Sequence, residues 1–180
     1  ILNLKLINVK ALRAFTLIEL MVAVSIFAIA MLVGVGALLS LSAANKKAQA
    51  INAVMNNMNS AVEDMTRKMR TGSTYHCENT LEAQYDVQTV NNCESAAGTY
   101  IAFEPSGGNS SSVTDQIVYR LNGTVIERST QGAAAGSWKT LTAPQVKIES
   151  LAFYVIGAGQ DTGAQKQPRI LINIKGSAPI

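Results

Sequence analysis

Apolar and polar positions along the chain fall into three regimes. From Leu20 to Ser42 there are 23 consecutive residues without a charge, apolar on every face. About 20 such residues at a rise of ~1.5 Å each cover a bilayer core of ~30 Å, so the stretch has the length of a membrane span. It is too long and too uniformly apolar for the core helix of a soluble domain. From Ile51 the pattern turns amphipathic. Ile51, Val54, Met55, Met58, Val62, Met65 and Met69 recur at three- and four-residue steps, which predicts a helix with one apolar stripe against which a head packs. Glu63 with Arg67 and Asp64 with Lys68 are acid-before-base pairs at i,i+4. Arg67, Lys68 and Arg70 suit a helix C-terminus, and Gly72 suits its stop. No proline occurs before Pro105, so one unbroken helix from Phe15 to about Thr71 is expected, about 85 Å long at the standard rise.

The third regime is short and alternating. Residues 72–98 read as a polar, turn-rich region carrying both cysteines, Cys77 and Cys93. Strands are then expected at Thr99–Phe103, Gln116–Leu121, Thr124–Arg128, Val146–Ile156 and Arg169–Lys175, with a short edge strand or bend at Trp138–Leu141. Asn122-Gly123 between two β-rich runs is a hairpin cue. Taken as a two-residue loop, it sets Tyr119 opposite Ile126, with Ile117 on the same side. In Val146–Ile156 the apolar phase shifts from Val146/Ile148 to Leu151/Phe153/Val155, which predicts a bulge near Ser150. Ile170, Ile172 and Ile174 alternate on one buried face. The fold class expected is α+β, a long N-terminal transmembrane and amphipathic helix packed on an antiparallel β-sheet head. The domain plan is a leader at 1–14, a membrane helix at 15–42, its amphipathic continuation at 43–71, a disulfide-closed loop region at 72–98 and a sheet head at 99–180.

Composition sharpens this picture. Of 180 residues, 48% are hydrophobic and 15% charged, which excludes a disordered chain. Lys5, Lys10 and Arg13 place three of the 15 basic residues ahead of the apolar run, and from Thr71 onward 7 basic residues face 9 acidic ones. The head therefore lacks the basic footprint of a nucleic-acid binder. The basic residues before the span, against Lys46 and Lys47 after it, favour a cytoplasmic N-terminus slightly. Two cysteines beyond a span read as an oxidised pair in an extracytoplasmic compartment. Fifteen residues separate them, and closing such a loop stabilises by roughly 3 kcal/mol in the chain-entropy account. The chain begins at Ile1 and stops within a strand-like region, so a fragment of a longer protein is expected.

Little in the sequence supports catalysis. The single histidine, His76, leaves little room for a His-dependent triad, and a Ser–Lys pair has no motif support. Gly157-Ala158-Gly159-Gln160-Asp161-Thr162-Gly163 matches neither a dinucleotide fingerprint nor a P-loop. Asp161 alone is too few carboxylates for calcium. No cofactor and no metal are expected. Glu19 is the residue that demands an account. A carboxylate at mid-membrane costs on the order of 2.5–3.5 kcal/mol, less near the interface, and calls for a partner. A cleaved secretory peptide is a rival for the whole segment, but its apolar region runs to about 7–15 residues and this one is longer.

Ala14-Phe15-Thr16-Leu17-Ile18-Glu19-Leu20 resembles the processing and assembly motif of type IV pilin-like proteins. The resemblance implies that a prepilin peptidase cuts between Ala14 and Phe15, that the new amine of Phe15 is methylated, and that Glu19 offsets the amine of a neighbouring subunit. Ala14 departs from the glycine usual before the cut. A bare amine and a carboxylate in hydrocarbon relieve each other when paired between chains, which favours a bundle of staggered helices. The head is similar to minor pseudopilins of the J class and to W-type minor pilins, on Glu127-Arg128 after the hairpin, Trp138-Lys139-Thr140-Leu141-Thr142, and Gln167-Pro168-Arg169-Ile170. The implied function is structural and non-enzymatic, in a filament of a type II secretion or pilus system. Other pilin-like subunits, the prepilin peptidase, an inner-membrane assembly platform and the membrane would be its partners, with the head periplasmic. The alternatives are a competence subunit that binds DNA and an anchored envelope protein outside any filament.

Overall fold

The computed structural model describes residues 15–79, 90–109, 111–134, 136–158 and 167–178. The leader with Lys5, Lys10, Arg13 and Ala14, and the loop with Asp161, lie outside the described residues. The backbone divides into two units, 1–45 and 46–180. One helix, α1 (Leu17–Arg70), runs through both, as the absence of proline allows.

In the first unit α1 has every residue exposed, including Leu17, Ile18, Met21, Phe27, Ile29, Leu32 and Leu38. In the second unit α1 packs on strands. These are β1 (Ser73–Glu78), β2 (Tyr100–Glu104), β3 (Ile117–Asn122), β4 (Val125–Ser129), β5 (Lys139–Thr140), β6 (Lys147–Ile156) and β7 (Arg169–Ser177). Strands β1 to β5 form an antiparallel sheet in sequence order, and β6 and β7 form an antiparallel pair. The long apolar helix on antiparallel sheet is a pilin-like α+β arrangement.

The apolar stripe of α1 resolves into two faces. Val54, Ala61, Met65 and Met69 are buried and Met58 packs against them, while Ile51, Met55 and Val62 stay exposed. At ~3.6 residues per turn the buried set keeps to one line, and the exposed three are rotated from it by roughly 60°. The buried line meets Ile101 and Phe103 of β2, Ile117 and Tyr119 of β3, Ile126 of β4, and Ile148, Leu151, Phe153 and Val155 of β6. The opposite face of the large sheet carries a smaller cluster, Tyr100, Ala102 and Val118, with Ala133 and Trp138 against it. The Arg120 guanidinium lies 3.7 Å over the Trp138 ring.

Three local expectations change. First, Ser73–Glu78 is a strand inside the segment read as polar loop. Only Tyr75 and Cys77 are buried in it, so its period-two signal rests on two residues. Second, the hairpin turns at Gly123-Thr124, so Leu121 faces Ile126 and Tyr119 faces Arg128. Gly123 adopts φ +60° at the first central position, as a type II′ turn requires. Tyr119, Ile117 and Ile126 still share the core. Third, Gly72 ends α1 by permitting close approach rather than by a left-handed backbone. A Cβ there would collide with the Phe103 ring. The expected bulge in β6 is present: the register shifts between Ile148 and Ser150, so Ile148 and Leu151 both point inward.

Candidate functional site

The N-terminal end of α1 is built by local hydrogen bonds. The Glu19 amide donates to Thr16 Oγ1 at 3.3 Å and the Leu20 amide to the Thr16 carbonyl at 3.2 Å, so Thr16 is the N-cap. Thr16 and Glu19 stand at the spacing of a capping box, a signal present in the sequence as T-x-x-E but not used in reading it. Glu19 thus sits in the first turn, where the helix dipole stabilises a negative charge by about 0.3–1 kcal/mol. Phe15, directly before the cap, is exposed. Among the described residues Glu19 enters no ion pair, and it is the only acid before Glu63. Further along, the Ser25 hydroxyl donates to the Met21 carbonyl at 2.8 Å, which satisfies it within the apolar stretch.

Within the second unit the helix is held by a polar clamp. Asp64 does not serve Lys68. It accepts from Arg128 Nη1 at 2.7 and 2.9 Å and from the Tyr119 hydroxyl at 2.8 Å, tying α1 to β3 and β4. Burial, and then the Asp64 carboxylate holding its proton, push the Tyr119 hydroxyl far above the ordinary tyrosine range. The exposed Glu63–Arg67 pair does form, at 2.6 Å. Asn57 Oδ1 accepts from the Ala143 amide at 3.0 Å, a second tie between helix and head. The Tyr75 hydroxyl lies against the Met69 and Gly72 carbonyls and closes the C-terminal end of α1.

Cys77 and Cys93 form a disulfide, with Cα atoms 5.7 Å apart, and both are buried. The bridge lies at the seam between the sheets. Asn91 exchanges hydrogen bonds with β1 through Tyr75 and Cys77, while the Cys93 amide donates to Val155 of β6. Gly98 and Phe153 exchange amide bonds of 2.8 and 2.9 Å. A Cβ on Gly98 would collide with both sulfurs, so glycine is required there. The disulfide was expected from the sequence, but the clamp and the hydrogen bonds around the bridge were not legible, because their partners are far apart in sequence, as Asp64 and Arg128 are by 64 residues.

Residues 10–35 match the family described as the prokaryotic N-terminal methylation motif. No curated protein and no solved structure matches the chain. The motif is typical of type IV pilin-like proteins, a structural rather than catalytic class. The motif supports a pilin-like, membrane-anchored protein: among the described residues one helix, Leu17–Arg70, is long and apolar enough to cross a membrane, and the motif runs into its first half.

Proposed function

We propose that the chain is a minor pilin or pseudopilin, cut between Ala14 and Phe15 and assembled through α1 into a filament of a type II secretion or pilus system. The observation that carries this reading is the methylation motif running directly into an apolar helix whose side chains the chain itself does not cover. In this role Glu19 pairs with the Phe15 amine of a neighbouring subunit. Each charge offsets the desolvation of the other, so loss of either leaves an unpaired ion. The partners are other pilin-like subunits, delivered by the inner-membrane platform after the prepilin peptidase has acted. The head faces the periplasm, a placement supported by its disulfide. A loose likeness of Glu127-Arg128, Trp138-Lys139-Thr140-Leu141-Thr142 and Gln167-Pro168-Arg169-Ile170 to J-class minor pseudopilins and W-type minor pilins supports a minor rather than a major subunit.

Two measurements test this. Mass spectrometry of the mature protein is expected to find a methylated Phe15 as its first residue. In cells, Glu19→Val is expected to be processed normally but to drop out of sheared filaments and subunit cross-links. Wild-type incorporation of Glu19→Val would remove the assembly role from this carboxylate.

A further inference from the structure

Buried polar atoms without a partner are concentrated at one place in the head. Six such side-chain atoms occur among the described residues, and five belong to three residues: both oxygens of Glu104, Asp115 Oδ1, and both amide atoms of Gln116. Glu104 is 3% exposed and Gln116 0%. An orphaned buried group is costly, and more so when charged, so five together require an explanation.

The backbone brings these residues together. Phe103 pairs with Ile117 across β2 and β3, so Glu104, at the end of β2, and Gln116, directly before β3, are brought side by side. Residues 105–109 fold back onto Glu104. Gly108 donates to the Pro105 carbonyl at 3.0 Å, with Gly107 at φ +83°. A Cβ on Gly108 would collide with Glu104 Oε1, so the loop backbone closes directly on that carboxylate. The next amide, Asn109, donates to Asp115 Oδ2 at 2.7 Å. One loop therefore seals one acid and grips the other. Burial, followed by the neighbouring Asp115 charge, raises the Glu104 carboxyl above its ordinary range.

We propose that Glu104, Asp115 and the Gln116 side-chain carbonyl form a calcium-binding site under the 105–109 loop. Two carboxylates balance a divalent charge, and four of the five orphaned atoms are oxygens able to coordinate it. A single proton shared by the acids would satisfy fewer of them. The donors are all oxygen, which selects a hard cation over zinc or copper. Magnesium keeps several waters and near-ideal octahedral geometry, a poor match to a carboxylate sealed by backbone, whereas calcium accepts irregular sets of six to eight oxygens. Loop carbonyls or water complete the shell. The site does not depend on filament membership.

The test uses the full chain in detergent after removal of metal with a chelator. Calcium is expected to bind at one ion per chain by calorimetry and to raise the thermal midpoint, with an equal concentration of magnesium having little effect. Asp115→Asn is expected to weaken calcium more than about tenfold, since even outer-shell changes at metal sites cost 10–100-fold. Glu104→Gln is expected to lose the calcium response while melting above the metal-free wild type, because it removes the sealed charge. Should Glu104→Gln not fold, Asp115→Asn, at the partly exposed edge, still decides. Absence of calcium binding to the wild type, equal binding by Asp115→Asn, or equal stabilisation by magnesium would overturn the assignment.

Discussion

The two halves of α1 obey the same backbone rules and meet opposite fates. Residues 15–49 are all exposed, although most of them are apolar. In the outer half, Val54, Ala61, Met65 and Met69 are covered by the chain's own strands. From Leu20 to Ser42 the first half has no polar face, while the second alternates apolar with Asn57, Asn59, Glu63 and Arg67. Apolar surface of the first kind is stable only in lipid or against other apolar helices, because water exacts about 25 cal/mol for each Å² left exposed. Surface of the second kind needs only one covered side. On the proposed reading the two halves carry two tasks: the inner one inserts and assembles, the outer one anchors a folded head.

The sharpest way to break this contrast is to place the same charge in each half. Met65→Asp puts an unpaired carboxylate at a fully buried site and is expected to cost about 5 kcal/mol or more, enough to unfold the head. Limited proteolysis would show the head lost and membrane association kept. Ile29→Asp, at an exposed apolar position, carries an insertion cost of about 2.5–3.5 kcal/mol. It is expected to weaken membrane retention and leave the melting of the head unchanged. Identical phenotypes for the two would erase the division of labour.

Next in size is the seam. Replacing Cys77 and Cys93 together with serine is expected to remove roughly 3 kcal/mol of head stability, read as a lower denaturant midpoint. Insertion of the inner half should not change. The clamp follows. Asp64→Ala leaves Arg128 and the Tyr119 hydroxyl without their acceptor. Fully buried pairs lose about 3–5 kcal/mol when one partner goes, and this one is partly exposed, so about 2–3 kcal/mol is expected. Asp64→Asn should cost less, because its amide oxygen still accepts the Tyr119 proton. Thermal melts of both variants check the order.

What could be read from the chain divides along the same line. The inner half was legible as one apolar helix of membrane length, since an uncharged run is a local signal, although its Thr16 cap was overlooked. The strands with strong alternation, β3, β6 and β7, were legible too, as was the bulge that brings Ile148 and Leu151 to one side. Strand β1 was not, because only two of its six residues point into the core. The hairpin register slipped because Asn122-Gly123 suits a I′ turn and Gly123-Thr124 suits a II′ turn, and cross-strand packing decides between them. In the outer helix the stripe was drawn too wide. Ala61 is small enough to escape a search for large apolar residues, yet it is among the most buried positions on that face. Asp64 illustrates the general difficulty: at i,i+4 from Lys68 it looks like half of a surface pair, and only the fold shows it meeting a guanidinium 64 residues away.

The smallest effect sharpens the contrast at the edge of the head. Glu149 is the bulge residue of β6, and its carboxylate accepts from Lys175 of β7 at 2.7 Å. The hydrogen bond from Lys175, then one from Ser177, then the Lys175 charge hold the Glu149 carboxyl below its ordinary range, and the same bond raises Lys175. A depressed acid adds stability above its unfolded value of about 4.3 and loses it as pH falls through the lower folded value. The raised lysine acts in the opposite window, contributing below its unfolded value and losing that contribution as pH rises through its folded one. Both groups are open to solvent, so salt screens the pair and its contribution is slight. Glu149→Gln is therefore expected to lower the thermal midpoint a little near neutral pH and to converge on the wild type in acid. The difference should shrink in high salt. A gap that persists unchanged below the acid limb would mean that Glu149 acts through the backbone of the bulge rather than through its charge.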